Sequence, residues 1–293
     1  MLDKIKGVKF KCPICKFDIK ILEDKMVCES NHSFETKHGV YQLLEPSFKK
    51  KITEYLTTFE DFREKTDQKI SEEHYDSLPY VNFNKELWNL RIMDYEMISA
   101  LIKGRKNLNI IDLGAWNGWL SNLLSKDGNN VIAIDYFIDK YDGLGAQQFY
   151  KSKWLSVQMD LENLDSLSNN SFDVIIINRG MPYFTNLDTT LTNIKKKLKT
   201  NGILIITGIT YSFKNKIVKS TLKKANNHFI EKYNSPLGFK KFKGYTDYET
   251  LNILRKHSFL IKSYKKLLFR NLIIKLFKFE KNQFYYGFYV KIN

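Results

Sequence analysis

The stretch that decides the fold is IIDLGAWNGWLS at residues 110–121, followed by VIAIDYF at 131–137. Each begins as a short apolar run and reaches an acid, Asp112 in the first and Asp135 in the second. Such runs are typical of parallel strands buried on both faces, and the glycines after Asp112 predict a loop whose backbone approaches a ligand before a helix begins. An acid at the tip of the next strand is placed to hold the hydroxyls of a ribose. Together they predict a nucleoside cofactor at the carboxyl edge of a doubly wound sheet.

This combination resembles the class I S-adenosylmethionine-dependent methyltransferases, whose first motif is an acid, a spacer and Gly-x-Gly-x-Gly. Here the motif runs through Asp112, Gly114, Ala115, Trp116 and Gly118, with Trp116 in place of the middle glycine. The Gly-x-Gly-x-x-Gly pattern of dehydrogenases is absent. The resemblance implies a Rossmann-like α/β domain with a seven-stranded sheet that binds S-adenosylmethionine. An ordinary strand–turn–helix without a ligand is the alternative.

A third strand extends the resemblance. WLSVQMDLENL at 154–164 predicts a strand ending at Asp160. In class I methyltransferases the acid here commonly reaches the adenine amino group, and the next backbone amide contacts the ring. The resemblance therefore gives these roles to Asp160 and Leu161, and adds Tyr136 to the cofactor-binding set. A solvated turn acid is the alternative for Asp160.

The acceptor side is predicted to follow FDVIIIN at 172–178, an apolar run typical of a central strand. NRGMPYF at 178–184 resembles the Asn-Pro-Pro-Tyr motif of amino-group methyltransferases only loosely, so it does not indicate an amino acceptor. Asn178 and Tyr183 are the catalytic-side candidates, and core packing explains Tyr183 equally well. The acceptor, a small molecule or another anionic substrate, is not identified by the sequence.

A metal site is predicted near the N-terminus. CPIC places Cys12 and Cys15 on one turn, and Cys28 with His32 completes a Cys₃His set suited to tetrahedral Zn²⁺. A segment this short holds little core, so the metal would stabilise its fold. Free buried cysteines with a chance histidine are the alternative. With four protein ligands the zinc would be structural, because no position is open for a reactive water.

The segment CESNHSFETKHGVYQLLEP at 28–46 resembles the N-terminal zinc module of the large-subunit rRNA guanine-N1 methyltransferases. We therefore divide the chain into a zinc ribbon over 1–46, a helical linker or arm over 47–83 and a class I methyltransferase domain over 84–293. Within the last, residues 211–244 form an insertion on the substrate side.

Composition and charge limit the possible locations and partners. No stretch reaches the length of a membrane span, the N-terminus lacks the apolar core of a signal peptide, and the three cysteines indicate a reducing compartment, so we expect a cytoplasmic protein. The net charge is +15, yet residues 195–293 hold 21 lysines and two arginines against four acids. This asymmetry favours an anionic partner on the C-terminal third.

Three alternatives follow from these features. An rRNA or tRNA base methyltransferase is favoured by the zinc module and the basic C-terminal third. A non-catalytic partner protein with the methyltransferase fold is suggested by Trp116. The basic amphipathic stretch RNLIIKLFKF at 270–279 allows a membrane-surface or nucleic-acid role, although a connector whose lysine stems cover apolar surface is favoured.

Overall fold

The computed structural model describes residues 8–65, 70–211, 215–277 and 284–292. The strands are β1 (Phe10–Lys11), β2 (Asp18–Ile21), β3 (Lys25–Cys28), β4 (Ser33–Lys37), β5 (Val40–Gln42), β6 (Asn109–Leu113), β7 (Asn130–Asp135), β8 (Leu155–Gln158), β9 (Phe172–Asn178), β10 (Leu198–Tyr211), β11 (Leu260–Ser263) and β12 (Phe284–Lys291). The α-helices are α1 (Pro46–Lys65), α2 (Lys85–Ile102), α3 (Trp119–Lys126), α4 (Leu187–Lys197), α5 (Asn215–Tyr233), α6 (Tyr248–Lys256) and α7 (Leu268–Phe277).

The strands of the described residues form one mixed sheet in the order β1-β2-β3-β4-β5-β8-β7-β6-β9-β10-β12-β11. From β8 to β10 each neighbouring pair is parallel, and β12 pairs antiparallel with both β10 and β11. The order reverses between β6 and β9, which creates the crevice in which doubly wound sheets bind their ligands. The doubly wound α/β class is confirmed.

The expected seven-stranded sheet is corrected, because the sheet has twelve strands. The N-terminal strands continue it: β5 pairs in parallel with β8 through Tyr41 opposite Val157 and Gln42 opposite Gln158. The backbone groups at the edge of β8 would otherwise lack partners in the sheet, and β5 supplies them.

Burial on both faces explains why the central strands read as continuous apolar runs. In β9, Val174 and Ile176 belong to a cluster that includes residues of α2 and α3. The alternate residues Ile175 and Ile177 belong to the cluster that includes residues of α4 and α6. Because side chains alternate along a strand, a strand covered on both faces needs apolar residues at every position.

Two segments outside the sheet meet over its carboxyl edge. Phe239, which follows α5, packs against Phe48 and Tyr55 of α1 and against Tyr136 at the end of β7, with ring centroids 5.4 to 6.0 Å apart. The hydroxyl of Tyr55 also donates to the backbone oxygen of Leu237 at 2.8 Å. We call Phe48, Tyr55, Tyr136 and Phe239 the aromatic cover. In the described part of the chain, no helix has the length and hydropathy needed to cross a membrane.

Candidate functional site

The loop at residues 114–118, here called the glycine loop, joins β6 to α3. Gly114 and Gly118 have φ values of +78° and +80°, which glycine adopts without strain. Trp116 has a φ of +50°, so the position of the missing middle glycine keeps a left-handed backbone although it carries a side chain. A Cβ on Gly118 would lie 2.7 Å from Trp154, so that position also lacks the space for a larger residue.

The acid at the end of β6 is almost completely buried. Asp112 is 1% exposed, and the hydroxyl of Ser121 donates to its Oδ2 at 2.7 Å. Its Oδ1 is buried and has no hydrogen-bond partner among the described residues. Burial raises the pKa of Asp112 to about 7; the Ser121 hydrogen bond opposes this rise and the charge of Asp135 adds to it. This carboxyl group is thus poised to exchange a proton near neutral pH.

Asp135, at the end of β7, fixes the glycine loop against the next strand. Its Oδ2 accepts from the backbone amide of Trp116 at 2.7 Å, and its Oδ1 accepts from that of Phe137 at 3.0 Å. Ala115 is bound to the same strand, because its amide donates to the backbone oxygen of Ile134 at 3.1 Å. Burial raises the pKa of Asp135.

The indole of Trp116 is held by three neighbours. It stacks on Trp88 with ring centroids 6.2 Å apart and an interplanar angle of 15°, and its Nε1 donates to Asp142 at 3.0 Å. The guanidinium carbon of Arg91 lies 4.8 Å from the ring centroid of Trp88 and 5.1 Å from that of Trp116. The replacement of the middle glycine therefore adds an ordered aromatic side chain to this edge of the sheet.

Arg91 is a buried cation without an ion pair in the described part of the chain. It is 9% exposed, and its Nε is buried without a hydrogen-bond partner. Burial lowers its pKa to about 10; the charge of Arg179 adds to this effect and that of Asp94 opposes it. An anionic ligand group at this point would gain a strong electrostatic partner, because the charge is already removed from water.

Two of the residues predicted to bind adenine, Tyr136 and Asp160, contact each other, and Tyr136 also belongs to the aromatic cover. The hydroxyl of Tyr136 donates to Asp160 at 2.6 Å, and Lys240 donates to both carboxylate oxygens at 2.8 and 3.0 Å. Leu161, by contrast, packs against the hydrophobic core. The segment after α5 therefore reaches the predicted cofactor edge through Lys240 as well as Phe239.

The two catalytic-side candidates lie in different environments. Tyr183 is 59% exposed, and its ring packs on that of Phe242 at 5.1 Å. Asn178 is buried, and its Nδ2 donates to Asp94 and to the hydroxyl of Thr207, both at 2.9 Å. In the described part of the chain Asn178 and Tyr183 therefore have separate neighbours.

A buried network around Asp94 was missed in the sequence. Asp94 is 0% exposed and accepts from Asn178, from the Nε of Arg179 at 2.9 Å and from the hydroxyl of Tyr264. The sequence did contain a signal: Trp88, Arg91 and Asp94 are three residues apart, so two charged residues continue the apolar face of α2. Charged residues at core positions of a helix indicate a polar network or a ligand site.

The predicted metal ligands meet at one point. Cys12 and Cys15 follow β1, Cys28 ends β3 and His32 precedes β4; their ligand atoms all lie within 4.8 Å of one another. Cys28 Sγ is 3.4 Å from His32 Nδ1, and Cys15 Sγ is 3.6 Å from Cys28 Sγ. Tetrahedral zinc with Zn–S bonds of about 2.3 Å requires ligand separations of about 3.8 Å, so these four fit that ion.

The central segment of the chain is similar to a known protein family. Residues 111–206, about a third of the chain, match the family model described as a methyltransferase domain. No curated protein matches the chain in sequence.

Similar folds occur among solved structures of methyltransferases. A geranyl diphosphate methyltransferase in complex with GPP and sinefungin is 9% identical with a TM-score of 0.50, covering 70% of this chain and 79% of its own. The geranyl diphosphate C-methyltransferase of Streptomyces coelicolor is 10% identical with a TM-score of 0.48, covering 73% and 82%. A SAM-dependent methyltransferase from Aquifex aeolicus is 15% identical with a TM-score of 0.44, covering 77% and 100%. At 9% identity, the likeness to the geranyl diphosphate methyltransferase concerns the fold alone, which is that of class I methyltransferases.

Proposed function

We propose that the chain is an S-adenosylmethionine-dependent methyltransferase. The observation that carries the proposal is the glycine loop: its left-handed backbone lies at the carboxyl edge of β6 and is bound to Asp135 at the end of β7. This is the arrangement that a nucleoside cofactor requires at the switch point of a doubly wound sheet. The family match over residues 111–206 supports the same activity.

Two buried groups fit the cofactor. Asp112 keeps one carboxylate oxygen without a partner among the described residues, and Arg91 keeps an unpaired guanidinium Nε beside Trp116. We assign the negatively charged amino-acid end of the cofactor to Arg91, its ribose hydroxyls to Asp135 and its adenine to Asp160, Leu161 and Tyr136. Gly114, Ala115, Trp116 and Gly118 would bring the backbone close to it.

When bound, S-adenosylmethionine supplies a methyl group already activated on a sulfonium, so the protein needs little covalent chemistry. Its contribution is to align the acceptor and to exclude water. We assign Tyr183 as an acceptor contact, because it is exposed beside the sheet edge. Asn178 is a positioning residue in this proposal, since its amide already binds Asp94 and Thr207.

We also propose that Cys12, Cys15, Cys28 and His32 bind a structural Zn²⁺. Their mutual distances support a tetrahedral ion, and four protein ligands leave no site for a reactive water. In this proposal residues 1–46 form the zinc module, 47–83 the arm and 84–293 the methyltransferase domain. The aromatic contacts of α1 and Phe239 support an arm and an insertion that cover the cofactor site.

Calorimetric titration with S-adenosylhomocysteine tests the cofactor site. We expect micromolar binding by the zinc-loaded protein and at least tenfold weaker binding by Asp135→Asn, because the amide keeps only one of the two oxygens that accept from Trp116 and Phe137 and has no negative charge for the ribose hydroxyls. Asp165→Asn, an exposed carboxylate away from the loop, is the matched control and should bind normally. A folded, zinc-loaded protein that does not bind the ligand would refute the proposal and favour a non-catalytic partner.

A further inference from the structure

Helix α7 directs apolar side chains outward. Leu268, Phe269, Leu272 and Leu276 are 54%, 75%, 52% and 67% exposed. Because a helix turns about 100° per residue, these four positions lie within one arc of about 100°. An amphipathic helix of a globular protein normally turns such an arc toward the core.

The opposite side of α7 carries a polar contact with the protein. Asn271 is 7% exposed, and its Nδ2 donates to the backbone oxygen of Tyr285 in β12 at 3.3 Å. The guanidinium of Arg270 lies over the ring of the same tyrosine at 5.5 Å. The described leucines of α7 therefore face outward, whereas Asn271 faces β12.

The strand before α7 also exposes two apolar side chains. Leu260 and Ile261 in β11 are 58% and 59% exposed, and β11 is the last strand of the sheet. We call Leu268, Phe269, Leu272 and Leu276 the C-terminal apolar surface. Clustered exposed apolar residues mark an interaction site more often than scattered ones do.

The charge around this surface has one sign. Residues 256–293 contain nine lysines and arginines and a single glutamate. Lys262 and Lys265 are exposed between Leu260 and Leu268, so cationic groups alternate with the apolar ones along the chain. Lys266 forms an exposed ion pair with Glu96, and such a pair contributes little to the free energy of folding.

We propose that the C-terminal apolar surface binds the face of an anionic lipid bilayer. Apolar side chains of an interfacial helix enter the boundary between headgroups and acyl chains, while flanking lysines bind anionic headgroups. Three of the four side chains of this surface are leucines, which gain nothing from RNA, because its bases stack on aromatic rings. A second copy of the chain would bring lysines against lysines, because residues 256–293 hold nine basic residues against one acid. Lipid is the partner that satisfies both the leucines and the lysines.

Flotation with vesicles tests the proposal independently of methyl transfer. The full-length, zinc-loaded protein is mixed with vesicles of phosphatidylcholine alone or of phosphatidylcholine and phosphatidylglycerol at 7:3. We expect at least tenfold stronger partitioning into the anionic vesicles. Replacing Lys262 or Lys265 by glutamine should lower it about fivefold each.

The apolar contribution is tested with Phe269→Gln combined with Leu272→Gln. Because both side chains are exposed, we expect an unchanged circular dichroism spectrum and at least tenfold weaker binding to the anionic vesicles. Tyr248→Gln, which removes an exposed ring from α6, is the control and should change binding less than twofold.

Three results would overturn the proposal. The first is that the protein floats with neither kind of vesicle. The second is a wild-type dimer in size-exclusion chromatography that the double variant converts to a monomer, which would assign the surface to a second copy. The third is binding to unstructured RNA that the double variant loses together with vesicle binding.

Discussion

Replacing Arg91 by methionine tests the charge balance beside the glycine loop. Burial, with the nearby charge of Arg179, lowers the pKa of Arg91 to about 10, which corresponds to about 3 kcal/mol against the charged guanidinium. Methionine keeps much of the packing, but it loses cation–π contacts with Trp88 and Trp116 worth about 0.5–1 kcal/mol each. We therefore expect the ligand-free protein to gain about 1–2 kcal/mol in free energy of unfolding.

Urea denaturation of the zinc-loaded protein at pH 7, followed by circular dichroism, measures this change. Arg105→Met is the matched control: Arg105 is more exposed and pairs with Asp173 at 3.7 Å, so its replacement should change stability by less than about 0.5 kcal/mol. A loss of more than 1 kcal/mol in Arg91→Met would refute the reasoning, because it would mean that the buried charge is compensated within the protein.

The same variant separates stability from ligand binding. If Arg91 holds the amino-acid end of the cofactor, Arg91→Met should weaken S-adenosylhomocysteine binding by at least tenfold. It should leave the affinity for 5′-methylthioadenosine, which lacks that end, almost unchanged. Equal losses for both ligands would show that the substitution perturbs the whole site rather than one contact.

Three further predictions concern the metal, a buried acid and a glycine. Chelation of zinc should lower the thermal midpoint of the protein, and added Zn²⁺ should restore it; an unchanged midpoint after verified metal removal would argue against a structural ion. Because the pKa of Asp112 is raised, the folded state keeps its proton longer than the unfolded state, so stability is lost as pH rises from about 4 to about 7. Asp112→Asn should remove that loss and so raise the free energy of unfolding at pH 7.5 by up to a few kcal/mol relative to the wild type. Wild-type and variant curves of stability against pH that run parallel would contradict this prediction. Gly118→Ala should lower the free energy of unfolding by about 1–3 kcal/mol more than Gly104→Ala, since both have φ near +80° but only the first approaches Trp154.

The central sheet could be predicted because its physical cause is local. Burial on both faces explains the apolar runs within β6, β7 and β9, and the acids Asp112 and Asp135 near the ends of β6 and β7 mark the carboxyl edge. The metal ligands could be predicted for a similar reason, because the Cys-x-x-Cys spacing fixes two thiolates on one turn. In both cases a few neighbouring residues contain the information.

The missed features depend on long-range contacts. The pairing of β5 with β8 rests on backbone groups of two residue pairs, which leave no periodicity in the sequence. Asp94 meets Tyr264 across 170 positions. The interpretation that lysine stems cover the apolar residues of 270–279 stays a prediction, because the side chains of its lysines, Lys275 and Lys278, lie outside the described part of the chain.

The β5–β8 pairing has a consequence for synthesis of the chain. The N-terminal module leaves the ribosome before β8, the strand that pairs with β5 and begins at Leu155, over a hundred residues later. At about 5–20 residues per second, β5 waits for seconds with an open edge, during which it is available for pairing with another chain. Early metal binding would order the rest of the module during this delay. The zinc ligands would then reduce aggregation of the nascent chain as well as stabilise the folded protein.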